Sequence, residues 1–145
     1  MECDRFEILE WLGEGGMGRV WLARDRWTGE LVAIKQLREA EPETVLRFLR
    51  EIRLLERIEH PNVIRLIATC PDPVFPAYAM EFCRSGDLNR WMEQPRGLGA
   101  KLRCFSQVLA GLEALHAFML HRDLKPGNVL LGDDGCFRIS DFGLG

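Results

Sequence analysis

Eight residues near the end of the chain, His121-Arg-Asp-Leu-Lys-Pro-Gly-Asn128, constrain its fold more than any other stretch. Pro126 has no backbone N–H and forbids an α-helix running through it, so the segment is expected to be a loop. It carries a carboxylate (Asp123), an ammonium (Lys125) and, five positions past the carboxylate, a carboxamide (Asn128). A transferring phosphoryl group needs positive charge, an acceptor hydroxyl needs an aligning carboxylate, and a hard cation needs oxygen ligands such as an Asn carbonyl. A second carboxylate, Asp141, follows in Asp141-Phe142-Gly143. Each residue also has a plain structural reading: Asp123 and Lys125 as a surface turn pair, Asp141 as the cap of a turn. Their order and company favour the chemical one.

Upstream, Phe6 to Leu12 alternates loosely between apolar and polar, then Gly13-Glu-Gly15-Gly-Met-Gly18 is followed by Val20-Trp-Leu-Ala, a turn ending at Thr28-Gly29, and Leu31-Val-Ala-Ile-Lys35. This pattern predicts three strands joined by two turns. The spacing Gly13-x-Gly15-x-x-Gly18 by itself is shared with dinucleotide-binding folds, where the third glycine opens a helix onto a pyrophosphate. Here the residues after Gly18 behave as a strand, which disfavours a dinucleotide enzyme. No Gly-Lys-Ser/Thr follows, which excludes a Walker loop. What remains is a glycine-rich hairpin whose backbone can lie over phosphates.

From Pro42 to Ile58 the apolar residues Val45, Phe48, Leu49, Ile52 and Leu55 recur at helical spacing, with Pro42 suited to the first turn. Glu51 borders that apolar face, placed to reach an inward Lys35 or to pair along the helix with Arg47. Val63 to Thr69 reads as a strand. The three prolines between Cys70 and Pro76 then impose a turn or an irregular edge. A short helix is expected from Leu88 to Gln94, where Asp87 is a good N-cap, and a long amphipathic one from Lys101 to Leu120. Val129 to Leu131 and Phe137 to Ser140 flank an Asp133-Asp134-Gly135 turn and predict a hairpin.

Together these motifs resemble the protein kinase family: the glycine-rich hairpin, Val32-Ala-Ile-Lys35, a helix glutamate nine residues before His60-Pro-Asn62, His121 to Asn128, and Asp-Phe-Gly. Asp-Leu-Lys-Pro is the serine/threonine form, and Gly-Gly-Met-Gly is similar to bacterial members. The resemblance implies an α+β fold: an N-lobe with an antiparallel sheet and one long helix (residues 1–80), a hinge (81–87), and the start of a mostly helical C-lobe (88–145). It implies ATP and Mg²⁺ as cofactors. Lys35 would hold the α- and β-phosphates and pair with Glu51. Gly13, Gly15 and Gly18 would cover the phosphates, Val20, Ala33 and Leu130 would enclose the adenine, and Met80 would be the gatekeeper. The backbone of Glu81 and Cys83 would bond the adenine edge. Asp87 would meet the ribose, with its N-cap role equally open. Asp123 would align the acceptor hydroxyl, Lys125 would touch the γ-phosphate, and Asn128 and Asp141 would hold Mg²⁺. His121, Phe142, Leu55 and Leu66 match stacked positions linking the lobes of active kinases.

A net charge of −3 argues against binding driven by a nucleic-acid backbone. Five scattered cysteines without a Cys-x-x-Cys point to reduced thiols in a cytoplasmic protein with no metal cluster. The opening lacks a signal-peptide pattern, and no apolar run has the roughly eighteen residues needed to span a bilayer. The chain stops two residues after Asp-Phe-Gly, where the family's domain continues. The expectation is therefore an incomplete domain, weak or inactive in phosphotransfer alone, with the apolar side of the Lys101 to Leu120 helix exposed. The alternatives are a catalytically silent nucleotide-binding or scaffold module, or one half of a split kinase completed by a second polypeptide. The protein substrate stays unassigned.

Overall fold

The computed structural model describes residues 4–15 and 18–141. Cys3, the tip of the glycine-rich turn at Gly16 and Met17, and Phe142 and Gly143 lie outside the described residues, so the proposed stacking position of Phe142 does too. The chain divides into two compact units. One comprises residues up to Glu56 together with Arg65–Phe82, the other Arg57–Ile64 together with the residues from Cys83 onward.

The first unit is a five-stranded antiparallel sheet in the order β1-β2-β3-β5-β4, with one long helix. Its strands are β1 (Phe6–Gly15), β2 (Gly18–Asp25), β3 (Leu31–Leu37), β4 (Leu66–Cys70) and β5 (Ala77–Glu81), and the helix is α1 (Pro42–Arg57). The loose alternation of β1 has a cause: the register with β2 shifts between Ile8 and Glu10 and again between Trp11 and Gly13. Each bulge adds a residue and breaks the period of two. The β2–β3 turn closes through Gly29, whose φ of 76° favours glycine and whose N–H donates to the Asp25 carbonyl at 2.7 Å. Asp25 is 1% exposed and accepts both Arg5 Nε (3.0 Å) and Arg5 Nη2 (2.6 Å). That fork holds the carboxyl down at about 2, with the Trp27 N–H helping against the opposing effect of burial.

Because side chains alternate across a strand, Val32 and Ile34 point to one face of the sheet and Ala33 and Lys35 to the other. On the first face Phe6, Ala23, Val32, Ile34, Cys70, Ala77 and Ala79 form an apolar core. Against the second face lies α1, with Phe48, Glu51, Ile52, Leu54 and Leu55 buried. The proline-rich link between β4 and β5 is organised by Asp72, whose Oδ1 accepts the N–H groups of Val74 and Phe75 at 2.8 and 2.7 Å.

The second unit holds α2 (Leu88–Met92), α3 (Leu98–His116), a single 3₁₀ turn at Pro126–Asn128, and the hairpin β6 (Val129–Leu131) and β7 (Phe137–Ile139). Cys104, Val129 and Phe137 form its core with Leu88, Trp91, Val108 and Leu131. The strand expected from Val63 begins only at Leu66. Asn62, Val63 and Ile64 join the second unit instead: Ile64 N–H donates to the Ile139 carbonyl at 2.9 Å, Ile139 N–H to the Asn62 carbonyl at 2.9 Å, and Asn62 Nδ2 to the Phe137 carbonyl at 2.9 Å. The apolar character of this run reflects burial beside β7, which periodicity cannot separate from a ladder in the first sheet. The long helix starts at Leu98 and ends at His116, earlier than expected at both ends. Leu98, Leu102, Phe105 and Leu109 form an exposed apolar stripe along it, Phe105 being 62% exposed. Among the described residues no helix is long and apolar enough to cross a membrane.

Candidate active site

In the first unit, β3 delivers Lys35 and α1 delivers Glu51. The Lys35 Nζ lies 2.9 Å from Glu51 Oε1 and 3.2 Å from Oε2, and the two residues are 5% and 2% exposed. The alternative partner of Glu51 is ruled out geometrically, because Arg47 pairs with Glu43 one turn earlier in the helix. Burial makes the ammonium necessary to the carboxylate, since a carboxylate that loses its counter-charge in this environment is costly.

Register aligns the other residues of this half. Val20 lies opposite Lys35 across β2 and β3, Met80 opposite Ala33, and Tyr78 opposite Lys35 across β3 and β5. Directly opposed residues share a face, so Val20, Ala33, Lys35, Tyr78 and Met80 share one side of the sheet. Tyr78 was missed by the sequence reading, yet its hydroxyl donates to Glu51 Oε1 at 2.6 Å. A signal existed: Tyr78 is two residues before Met80 on a strand, hence on the same face.

The glycines differ in what they do. Gly13 has φ of 149°, a region that disfavours side chains, and Gly15 pairs with Gly18 across the hairpin. A β-carbon at Gly18 would fall 2.8 Å from the Gln36 carbonyl oxygen and 3.2 Å from Lys35 Cγ. This third glycine is thus required by close approach to β3 beside the lysine. The strand that continues from it leaves no helix for a dinucleotide site. At the end of β5, Glu81 is bound to the start of β4: its N–H donates to the Arg65 carbonyl at 3.0 Å, and its Oε1 accepts Arg65 N–H at 2.9 Å.

In the second unit the loop from His121 is tied down at several points. His121 is 2% exposed, its Nδ1 accepts Asp123 N–H at 3.1 Å, and its Nε2 lies 2.9 Å from the Ser140 carbonyl. An acceptor at Nδ1 places the proton on Nε2, which donates to Ser140. Asn128 Nδ2 donates to the Asp123 carbonyl at 2.8 Å and to Asp123 Oδ2 at 3.1 Å. The Asn128 carbonyl accepts Ser140 N–H at 2.9 Å, which fixes the strand end carrying Asp141. Lys125 Nζ is 3.4 Å from Asp123 Oδ2 on a 59% exposed side chain. Arg122 and Asp141 both have positive φ, 62° and 52°. Such geometry in residues other than glycine costs about 1–3 kcal/mol and persists where neighbours impose it.

With Nδ2 committed to Asp123, the side-chain atom Asn128 can offer a cation is Oδ1. Asp141 follows Ser140 directly, so the Asn128 backbone also anchors the residue before that carboxylate. Asp87 does cap α2, its Oδ1 accepting Arg90 N–H at 3.0 Å, and it also bridges to Leu130.

The description of the protein kinase domain family matches residues 6–145. The chain belongs to the protein kinase family. Similar kinases include the DNA damage-responsive serine/threonine-protein kinase RqkA of Deinococcus radiodurans, 38% identical over 98% of this chain and 22% of that protein. Serine/threonine-protein kinase Pkn1 of Myxococcus xanthus is 36% identical over 99% of this chain and 22% of its own length. Cyclin-dependent kinase 10 of Rattus norvegicus is 38% identical over 96% of this chain and 41% of its own. The chain thus spans about a fifth to two fifths of these kinases.

Proposed function

We propose that this protein acts in ATP-dependent serine/threonine phosphotransfer, moving the γ-phosphoryl group of Mg-ATP to a hydroxyl of a protein substrate. The buried Lys35–Glu51 pair is the observation that carries this reading, because it holds a phosphate-binding ammonium in one place without an exposed counter-ion. In this assignment residues 1–80 serve as the N-lobe, 81–87 as the hinge and 88–145 as the start of the C-lobe. Lys35 binds the α- and β-phosphates under Gly13, Gly15 and Gly18. Val20, Ala33 and Leu130 enclose the adenine, the Glu81 and Cys83 backbone binds its edge, and Asp87 serves the ribose in addition to capping α2. Asp123 orients the acceptor hydroxyl, and Lys125 meets the γ-phosphate. Asn128 and Asp141 hold Mg²⁺, which when bound neutralises phosphate charge.

Calorimetry with Mg-ATP tests the binding half. The chain should bind Mg-ATP, and Lys35→Met should weaken binding by at least tenfold. A well-folded chain that binds no Mg-ATP would overturn the nucleotide reading and leave a scaffold. Transfer of label to a generic substrate tests the rest, with loss on Asp123→Ala as the expected result wherever transfer is seen.

A second reading is favoured by the stripe of Leu98, Leu102, Phe105 and Leu109 on α3. We infer that further kinase-domain sequence, in the same polypeptide or a complementing one, covers it and completes phosphotransfer. Restored transfer on adding a polypeptide with that sequence, lost with Phe105→Glu, is the expected result.

A further inference from the structure

We propose that Tyr78 is a positioning residue for Lys35, acting through Glu51. The proposal rests on the nucleotide-binding reading above and names a residue that reading does not require. Glu51 Oε1 accepts two hydrogen bonds, from Lys35 Nζ at 2.9 Å and from Tyr78 Oη at 2.6 Å, while Oε2 accepts Lys35 Nζ at 3.2 Å. Lys35 and Tyr78 are direct register partners on β3 and β5. The carboxylate on α1 is therefore docked onto two neighbouring strands at once.

The two donors differ in stiffness. A lysine reaches its partner through four flexible methylenes, so an ammonium alone leaves the carboxylate free to swing with it. A tyrosine has two side-chain torsions, and this one is 1% exposed. Its ring also packs on Phe48, three residues before Glu51 on the same helix, with centroids 5.5 Å apart. Tyr78 thus meets α1 at two points and fixes the height and rotation of Glu51. The fixed carboxylate in turn sets where the ammonium of Lys35 is held. The hydrogen bond to a charged acceptor is of the strong class, in surroundings where water does not replace it.

A tyrosine that merely satisfies its hydroxyl in a core would affect stability alone. A positioning tyrosine affects the part of nucleotide binding that passes through the phosphates. The test is Tyr78→Phe in the 145-residue chain, with Mg-ATP and adenosine as calorimetric probes. Mg-ATP should bind about tenfold more weakly and adenosine unchanged. In a Lys35→Met background the same substitution should change neither. Equal loss for both probes, or no loss for Mg-ATP, overturns the proposal.

A second readout needs no nucleotide: acetylation of the Lys35 amine by acetic anhydride, followed by mass spectrometry, should be several-fold faster in Tyr78→Phe, and an unchanged rate overturns the proposal. If the parent chain binds neither probe, the nucleotide reading fails and acetylation still decides the role of Tyr78. Should Tyr78→Phe not fold, the chain's single tyrosine allows uniform replacement by 3-fluorotyrosine. Its stronger donor hydroxyl should slow Lys35 acetylation, and the same rate as the parent overturns the proposal.

Discussion

Gly111 of α3 lies against the backbone carbonyl of Asn62, with no room for a β-carbon between them. A methyl group there would also come within 2.9 Å of Ile139 Cδ1. The glycine lets a helix, a connecting segment and a hairpin strand meet without an intervening side chain. Asn62 bonds β7 through both its carbonyl and its amide, so it cannot retreat without breaking those bonds. Gly111→Ala should therefore destabilise the second unit by about 2–3 kcal/mol despite the better helix propensity of alanine. Urea unfolding followed by amide exchange in β7 would read this, and unchanged stability would contradict the close approach.

The Lys35–Glu51 pair predicts a non-additive stability pattern. Lys35→Met alone leaves a buried carboxylate that keeps, among the described residues, only the tyrosine hydroxyl, and should cost about 3–5 kcal/mol. The double substitution Lys35→Met with Glu51→Leu removes both charges and should recover most of that loss. Denaturant midpoints for the two single variants and the double variant measure the coupling directly.

Acid should weaken the first unit in a defined window. Asp25 has a folded-state carboxyl near 2 against an ordinary value of 3.8. A depressed carboxyl stabilises the fold fully above its unfolded value, and that contribution is lost as pH falls from about 4 through about 2. Asp72, in the same unit, shifts the same way through the Phe75 N–H, so Asp25→Asn should flatten the acid limb only in part. At neutral pH Asp25→Asn should cost about 1–3 kcal/mol, the lower part of that range being expected because Arg5 is partly exposed. Thermal melts from pH 2 to 7 on both proteins test this, and parallel curves would contradict it.

Asn128 bonds Asp123 through its amide and, in the proposed assignment, also holds Mg²⁺. Asn128→Ala removes both bonds to Asp123 and should lower stability by about 1–3 kcal/mol. It should also reduce the Mg²⁺ dependence of ATP affinity, measured by titrations with and without the ion. Asn128→Gln moves the amide by one methylene and should fail in both respects if the bonds depend on distance.

Much of the fold was legible because its signals are local. The periodicity of Val45, Phe48, Ile52 and Leu55 marks α1, and its first residue, Pro42, is as expected. The prolines after Cys70, the Asp133-Asp134-Gly135 turn and the Asp87 cap also depend on nearby chemistry. The run from Val63 to Ile64 was misplaced because burial against a distant strand and burial in a local ladder leave the same apolar sequence. The Arg5–Asp25 fork and the Asn62–Gly111 approach join residues far apart in sequence, and no spacing rule relates them.

The family and the chemical types available could be read from the residues in order: an ammonium on a strand, a carboxylate on a helix, and a loop carrying a second carboxylate beside a carboxamide. Motif order and residue chemistry suffice for that. Spacing left Glu51 between Lys35 and Arg47 and the kinase resemblance favoured Lys35; the pair itself is seen in the tertiary structure. Only it revealed that Gly18 is small for the sake of Gln36, and that Tyr78 shares an oxygen of Glu51 with Lys35. Those outcomes depend on register between strands and on the distance between backbones, which are set when the sheet assembles; the strand alternation that puts Tyr78 on the face of Met80 is their one local trace.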